Sequence, residues 1–120
     1  IFSVHRNKKM NQNMDRNRKI LIDDVNVITN GSPEELKYIK KPNAIGKVIN
    51  TETNEKLCEI TPLVMIINQS SRDVHEKISS LLEAGADPDI EITYYNNKKI
   101  TARKLATTYR STIHFPFNIH

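Results

Sequence analysis

Residues 78–90, ISSLLEAGADPDI, decide the fold because they end a helix in one specific way. Gly85 is predicted at the position just past the helix, where a left-handed residue closes the last turn. Ala86 is then expected to pack on Leu81, and Pro88 prevents the helix from restarting. Upstream, the apolar residues follow the spacing of one helix face: Val74, Ile78, Leu81 and Leu82.

Helix starts are predicted wherever a capping residue precedes an apolar pattern. A proline at the first helical position, or an acid three residues after the cap, strengthens the prediction. Asp73 is also spaced to pair with Lys77 at i, i+4. The predicted starts are Ser32-Pro33 with Glu35, Thr61-Pro62, Asp73 with Glu76, and Thr101.

An earlier helix face is indicated by Ile20, Leu21, Val25 and Ile28, and it ends at the turn signal Asn30-Gly31. Residues 42–60 are rich in polar residues and turn signals, which predicts a loop or an extended hairpin. Residues 89–99 form a second connection. The order of short helix, turn, longer helix, stop and long loop recurs, which is typical of a repeat protein.

Four segments carry a resemblance to the ankyrin repeat family. TPLVMII (61–67) resembles the opening of an ankyrin repeat, SSLLEAGADPDI (79–90) its second helix and following turn, and TARKLA (101–106) a last opening. NGSPEELK (30–37) is similar to an earlier inter-helix turn. The resemblance implies an all-α, ankyrin-type helical repeat solenoid with long inter-repeat hairpin loops. It covers about two and a half repeats, residues 20–110.

The sequence departs from the ankyrin pattern in three places. Val64 stands where the family motif has histidine, which weakens the first-helix network that the family uses. Thr61 and Thr101 are farther apart than the repeat of about 33 residues. The 42–60 connection lacks the usual Asp/Gly hairpin. Since solenoids generally need about three repeats, this segment is expected to be marginal alone, part of a longer chain, or steadied by its tails.

The positive charge of the chain lies at its start. The formal net charge is +4, yet residues 1–20 hold six Lys and Arg side chains and one acid, Asp15, so the remainder is slightly acidic. A nucleic-acid-binding domain is expected to carry positive charge on its folded body. We therefore predict a basic, disordered arm (1–19), an ankyrin repeat domain (20–113) and an extended C-terminal tail (114–120).

The expected compartment is the cytoplasm, or the inside of a host cell if the source is a pathogen or virus. No apolar run approaches the roughly 20 residues of a membrane helix, and no signal peptide is visible. Cys58, as a single cysteine, provides no internal disulfide framework. No membrane partner is expected.

Catalysis finds little support in the sequence. The four histidines lack metal-ligand spacing, and Cys58 has no evident histidine partner. The acids Asp87, Asp89 and Glu91 crowd one turn, where turn hydrogen bonding and solvation are favoured over a cation site. A non-enzymatic protein without metal or cofactor is predicted. The histidines are His5, His75, His114 and His120.

The resemblance implies a module that binds a partner protein through loop tips and first-helix side chains. Tyr94 and Tyr95 support this, because tyrosine is enriched among interface anchors. At least one ring is expected to be exposed, the alternative being that one covers the core. The predicted contact residues are Asn68, Gln69, Tyr94, Tyr95, Asn97, Lys99, Thr108 and Tyr109.

Three alternatives stay open at this point. The chain could be the targeting fragment of a larger effector or enzyme whose catalytic domain lies elsewhere. The basic arm could bind nucleic acid weakly, with strong salt dependence. Phe115 and Phe117 could cover the last repeat, present a peptide-like segment to a partner, or belong to the stub of a longer protein.

Overall fold

A computed structural model describes residues 17–69 and 72–109. Most of the predicted basic arm, the tail 114–120, three of the four histidines and both C-terminal phenylalanines lie outside these residues. The described helices are α1 (Val25–Asn30), α2 (Pro33–Leu36), α3 (Pro62–Gln69), α4 (Val74–Glu83) and α5 (Ala102–Tyr109). The strands are β1 (Arg18–Leu21), β2 (Gly46–Asn50), β3 (Lys56–Ile60), β4 (Ile92–Thr93) and β5 (Lys99–Ile100), and a 3-10 turn spans Tyr95–Asn97.

The fold is mixed α/β, so the prediction of an all-α, ankyrin-type helical repeat solenoid is wrong. Two antiparallel sheets accompany the helices: one has the order β1-β2-β3, and the other pairs β4 with β5. The helix face predicted from Ile20 begins only at Val25, because Arg18–Leu21 pairs with β2 as a strand. Of the two alternatives for residues 42–60, the extended hairpin is confirmed.

The three-stranded sheet forms because alternate residues of its strands face the core. Ile20 lies opposite Val48, which lies opposite Cys58, and the last two are buried. The β2–β3 turn contains no glycine. Instead, the Asn50 side chain accepts hydrogen bonds from the backbone N–H groups of Glu52 (2.8 Å) and Thr53 (3.3 Å), while Asn54 takes a left-handed conformation. Asparagine serves both roles because its short amide mimics the backbone and tolerates positive φ.

Capping explains most helix starts. Ser32 and Glu35 form the predicted reciprocal capping box, and the hydroxyls of Thr61 and Thr101 accept from the N–H groups three residues on. The capping box predicted at Asp73 is wrong: its side chain makes no cap hydrogen bond, and its ψ of 27° is not the extended conformation that such a cap needs. The predicted ion pair of Asp73 with Lys77 is confirmed at 3.7 Å.

The stop predicted at Gly85 is confirmed. Gly85 has φ +103°, its N–H donates to Leu82, and the Ala86 N–H donates to Leu81 at 2.9 Å, which are the two bonds of a Schellman ending. Asn43 secures this turn from the preceding connection. Its side-chain oxygen accepts from the Asp87 N–H at 2.6 Å and its amide donates to the Gly85 carbonyl at 3.0 Å.

Helix α3 lies at the centre of the core. It packs against α1, α4 and α5, while α2 packs on α4. All six residues from Pro62 to Ile67 are buried, as expected for a helix that is apolar on every side. Within the described residues, no helix has the length and apolar character needed to cross a membrane.

Candidate functional site

One concave feature of the described residues is an open groove, here called the tyrosine groove, of about 690 Å³. It lies between the inward face of the three-stranded sheet and the C-terminal part of α3. Its floor is apolar, and its upper wall carries two tyrosines and two side-chain amides. The lining residues are Arg18, Ile20, Thr29, Val48, Ile60, Met65, Asn68, Gln69, Tyr94 and Tyr95.

The two tyrosines form one wall of the groove and hold each other in place. Their ring centroids lie 4.9 Å apart with the planes at 72°, an edge-to-face arrangement. The Asn68 amide donates to the Tyr94 hydroxyl at 3.1 Å. The Arg18 guanidinium lies 5.6 Å from the centre of the Tyr95 ring, within range of a cation–π interaction. The wall is therefore preorganised.

Both tyrosines are half-buried and pack on the core. They are therefore neither fully exposed nor fully buried as a cover of the core, the two alternatives that the sequence left open. Burial raises the pKa of Tyr95 to about 12, and Cys58 lies beside its hydroxyl. Burial also raises the pKa of the Cys58 thiol, although the hydrogen bond with Tyr95 opposes the change. Cys58 is therefore a buried, protonated thiol in β3, which is the inert kind of cysteine.

Four predicted contact residues meet in the tyrosine groove: Asn68, Gln69, Tyr94 and Tyr95. Gln69 also has a structural contact, because its amide donates to the Ile28 carbonyl at 3.0 Å and ties α3 to α1.

The other four predicted contact residues are not among those that line the groove. Asn97 is exposed at the end of the 3-10 turn, and Lys99 donates to the Thr93 hydroxyl at 2.7 Å. Thr108 is exposed on α5, and Tyr109 ends that helix.

Sequence reasoning missed six groove residues. Arg18 was assigned to the arm and Ile20 to a helix, while Val48 and Ile60 lay in a region predicted only as a loop or an extended hairpin. The β-branched and apolar residues of IGKVIN (45–50) and KLCEI (56–60), separated by the polar run TETNE (51–55), were the available signal for the strands. No local pattern marked Thr29 or Met65 as groove residues.

The acidic turn after α4 has the structural role that was predicted for it. The Asp87 carboxylate accepts from the Asp89 N–H at 2.8 Å, and Asp89 forms an ion pair with Arg103 at 2.9 Å. Among residues 17–69 and 72–109, no group of three or more His, Cys, Asp or Glu side chains is arranged to hold a metal ion. His75 is exposed.

Glu59 connects the two sheets at the side of the groove. Its carboxylate accepts from the Thr93 N–H at 2.7 Å and lies 3.4 Å from the Lys56 ammonium. The Thr93 hydrogen bond, helped by Lys56, lowers the pKa of Glu59 below its ordinary value of 4.5. The ionised carboxylate therefore stabilises the folded state above pH 4.5, and this stabilisation is lost as the pH falls through the lower, folded-state pKa.

We expect Glu59→Gln to lower the unfolding free energy by about 1 kcal/mol at pH 7, because a neutral acceptor replaces a charged one. The variant should also lose part of the acid dependence, so the two proteins converge in stability as the pH falls. Urea unfolding between about pH 3 and pH 7 measures both effects. Parallel stability curves for the two proteins would contradict the role given to this carboxylate.

Comparison of the chain with protein-family models, with curated proteins and with solved structures gave no match. The resemblance to ankyrin repeats therefore remains a prediction from the motifs at residues 30–37, 61–67, 79–90 and 101–106.

Proposed function

We propose that this chain is a non-enzymatic interaction module that binds a partner protein in the tyrosine groove. The observation that supports this most is that four of the residues predicted as contacts, two of them tyrosines, line one groove. Tyrosine and arginine are enriched among residues that dominate binding energy. Here Arg18, Tyr94 and Tyr95 lie together.

The groove also has the composition of a protein interface. Its floor is formed by buried apolar side chains, Val48, Ile60 and Met65, while exposed Thr29 and Asn68 stand at its rim. An apolar centre with a polar rim is the usual anatomy of an interface. Because the tyrosine wall is already fixed by Asn68 and Arg18, little side-chain entropy is lost on binding.

The ionisable groups of the groove favour binding over catalysis. Its lining includes an arginine and two tyrosines, and no histidine, carboxylate or thiol among the described residues. Tyr95, with a pKa of about 12, stays neutral near pH 7. General acid–base catalysis needs a group that titrates near the working pH.

The test places a bulky charge in the groove without disturbing the core. Asn68 is exposed near the end of α3, where a cation is compatible with the helix dipole. We expect Asn68→Arg to reduce capture of the partner about tenfold, which corresponds to about 1.4 kcal/mol. The measurement is quantitative mass spectrometry of proteins retained by the immobilised chain, followed by titration of the purified partner.

Thr108→Arg is the matched control, since Thr108 is an exposed helical position that does not line the groove. It introduces the same side chain and should leave capture unchanged. Circular dichroism melting checks that both variants stay folded. If Asn68→Arg retains every partner as well as the parent protein does, the groove is not the binding site.

A further inference from the structure

The outer edge of β1 is open within the described part of the chain. β1 stands at one end of the sheet order β1-β2-β3, and no described strand pairs with its other side. The opposite end of the sheet is covered, because β3 lies against β4 and Glu59 accepts the Thr93 N–H. An unpaired strand edge presents backbone N–H and C=O groups that can accept a further strand.

The direction of these backbone groups follows from one hydrogen bond. Thr51 donates its N–H to the Asn17 carbonyl at 3.0 Å, in line with the β1–β2 register. Hydrogen-bonded and non-hydrogen-bonded pairs alternate along antiparallel strands. Lys19 and Leu21 therefore direct their backbone groups towards β2, whereas Arg18 and Ile20 direct theirs towards the open side.

The open edge lies between two grooves. Arg18 and Ile20 line the tyrosine groove. Lys19 and Leu21 line a second groove of about 480 Å³, here called the edge groove, which also includes Ile20, Ile22, Asp23, Val25 and Ala44–Ile45. Successive side chains of an added strand would point to opposite faces and so towards the two grooves in turn, while Ile20 of β1 borders both. In the edge groove, Leu21 is 42% exposed and Ile45 is 52% exposed.

The charge on β1 selects the occupant. Arg18 and Lys19 are both exposed, so one half of the strand is cationic and the other half, Ile20 and Leu21, is apolar. Edge-strand cations oppose pairing with a second copy, because each copy brings the same charges. Asp23 also lines the edge groove, and its carboxylate forms an ion pair with Lys41 at 2.9 Å. A complementary strand is acidic at one end and apolar at the other.

We propose that β1 receives an extended segment of the partner protein as an additional antiparallel strand. Two acidic residues of that segment lie opposite Arg18 and Lys19, and two apolar residues lie opposite Ile20 and Leu21. The segment bonds to the outward backbone groups of Arg18 and Ile20 and places alternate side chains in the two grooves. This inference rests on the proposed function, since it describes how the partner enters the tyrosine groove.

The test uses a synthetic hexapeptide, TVVEET, that is acetylated at its N-terminus and amidated at its C-terminus. Amide hydrogen exchange of the full chain is measured by NMR with and without this peptide. Before addition, the Ile20 amide is expected to exchange fast and the Leu21 amide slowly. A saturating peptide should slow exchange at Ile20 about tenfold and leave Leu21 nearly unchanged, because only Ile20 gains a hydrogen bond.

Two altered peptides isolate the two parts of the proposal. The sequence TVVKKT reverses the charge, and an N-methylated TVVEET lacks the donors that an added strand needs. Both should bind at least about tenfold more weakly than the parent peptide. In the protein, Lys19→Glu should weaken binding of TVVEET about fivefold, while Lys104→Glu, an exposed site on α5, should not.

Each other outcome overturns the inference. Peptide binding in the tyrosine groove without protection of Ile20 would retain the proposed function and exclude strand addition. Protection of Ile20 without peptide would mean that the edge is occupied already, by a second copy if sedimentation shows a dimer and by the chain itself if it shows a monomer. Absence of binding at millimolar peptide excludes an acidic strand, while the Asn68→Arg capture experiment still tests the groove separately.

Discussion

Replacement of Ile66 by alanine is expected to lower the unfolding free energy by about 2–5 kcal/mol. Ile66 is fully buried in α3, the helix that packs against α1, α4 and α5, so its side chain fills space that no single neighbour can close. Small domains have about 5–15 kcal/mol of stability in total. The substitution should therefore remove a large part of the unfolding free energy and lower Tm by about 10–25 °C.

Ile45→Ala is the matched control because it deletes the same atoms from a side chain that is 52% exposed. It should change stability by no more than about 0.5 kcal/mol. Ile66→Val, which removes one methylene, should fall between the two at about 0.5–1.5 kcal/mol. Thermal and urea unfolding of the three variants measure this order, and equal losses for Ile66→Ala and Ile45→Ala would show that α3 is not the centre of the core.

The features predicted correctly from sequence depend on residues a few positions apart. The capping box at Ser32 and Glu35 and the stop at Gly85 with Ala86 are formed by neighbours in the chain. Such short-range contacts leave a local pattern, so capping and termination rules can read them. The helix start predicted at Asp73 is confirmed, since α4 begins at Val74, but the capping box failed because the backbone angles of Asp73, which the residue type does not determine, are unsuitable.

Strand β1 was missed because its pairing joins distant segments. Arg18 lies opposite Asn50, and the four residues RKIL contain no alternation strong enough to separate a strand from a helix end. The β2–β3 turn lacks the glycine that usually marks a hairpin, and Asn50 and Asn54 take its place. The connection could therefore be assigned only as a loop or an extended hairpin.

The site was predictable to the extent that it depends on residue type. Asn68, Gln69, Tyr94 and Tyr95 were all identified through the ankyrin resemblance, and the frequency of tyrosine in interfaces supported the last two. The other wall of the groove comes from β1, and its position depends on the pairing with β2. A site built across a long-range strand pair cannot be assembled from local patterns, which is why Arg18 and Ile20 were absent from the predicted set.

Gly46→Ala is expected to detach β1 from the sheet and to lower the unfolding free energy by about 2–3 kcal/mol. A β-carbon at residue 46 would lie 2.3 Å from the Leu21 carbonyl oxygen and 2.5 Å from the Ile22 β-carbon. Because the oxygen belongs to the backbone, the clash is relieved only if β1 moves away from β2. Since β1 supplies Arg18 and Ile20 to the tyrosine groove, partner binding should fall with it.

The neighbouring change Lys47→Ala separates this steric effect from ordinary loss of a strand side chain. Lys47 is exposed and lies opposite Leu21 in the same strand pair, so its truncation should alter stability by no more than about 0.5 kcal/mol. Urea unfolding gives the stability change, and hydrogen exchange at the Lys19 and Leu21 amides reports the β1–β2 bonds directly. Slow exchange at both amides in Gly46→Ala would mean that β1 stays paired with β2. The new β-carbon would then be accommodated by movement of other parts of the chain.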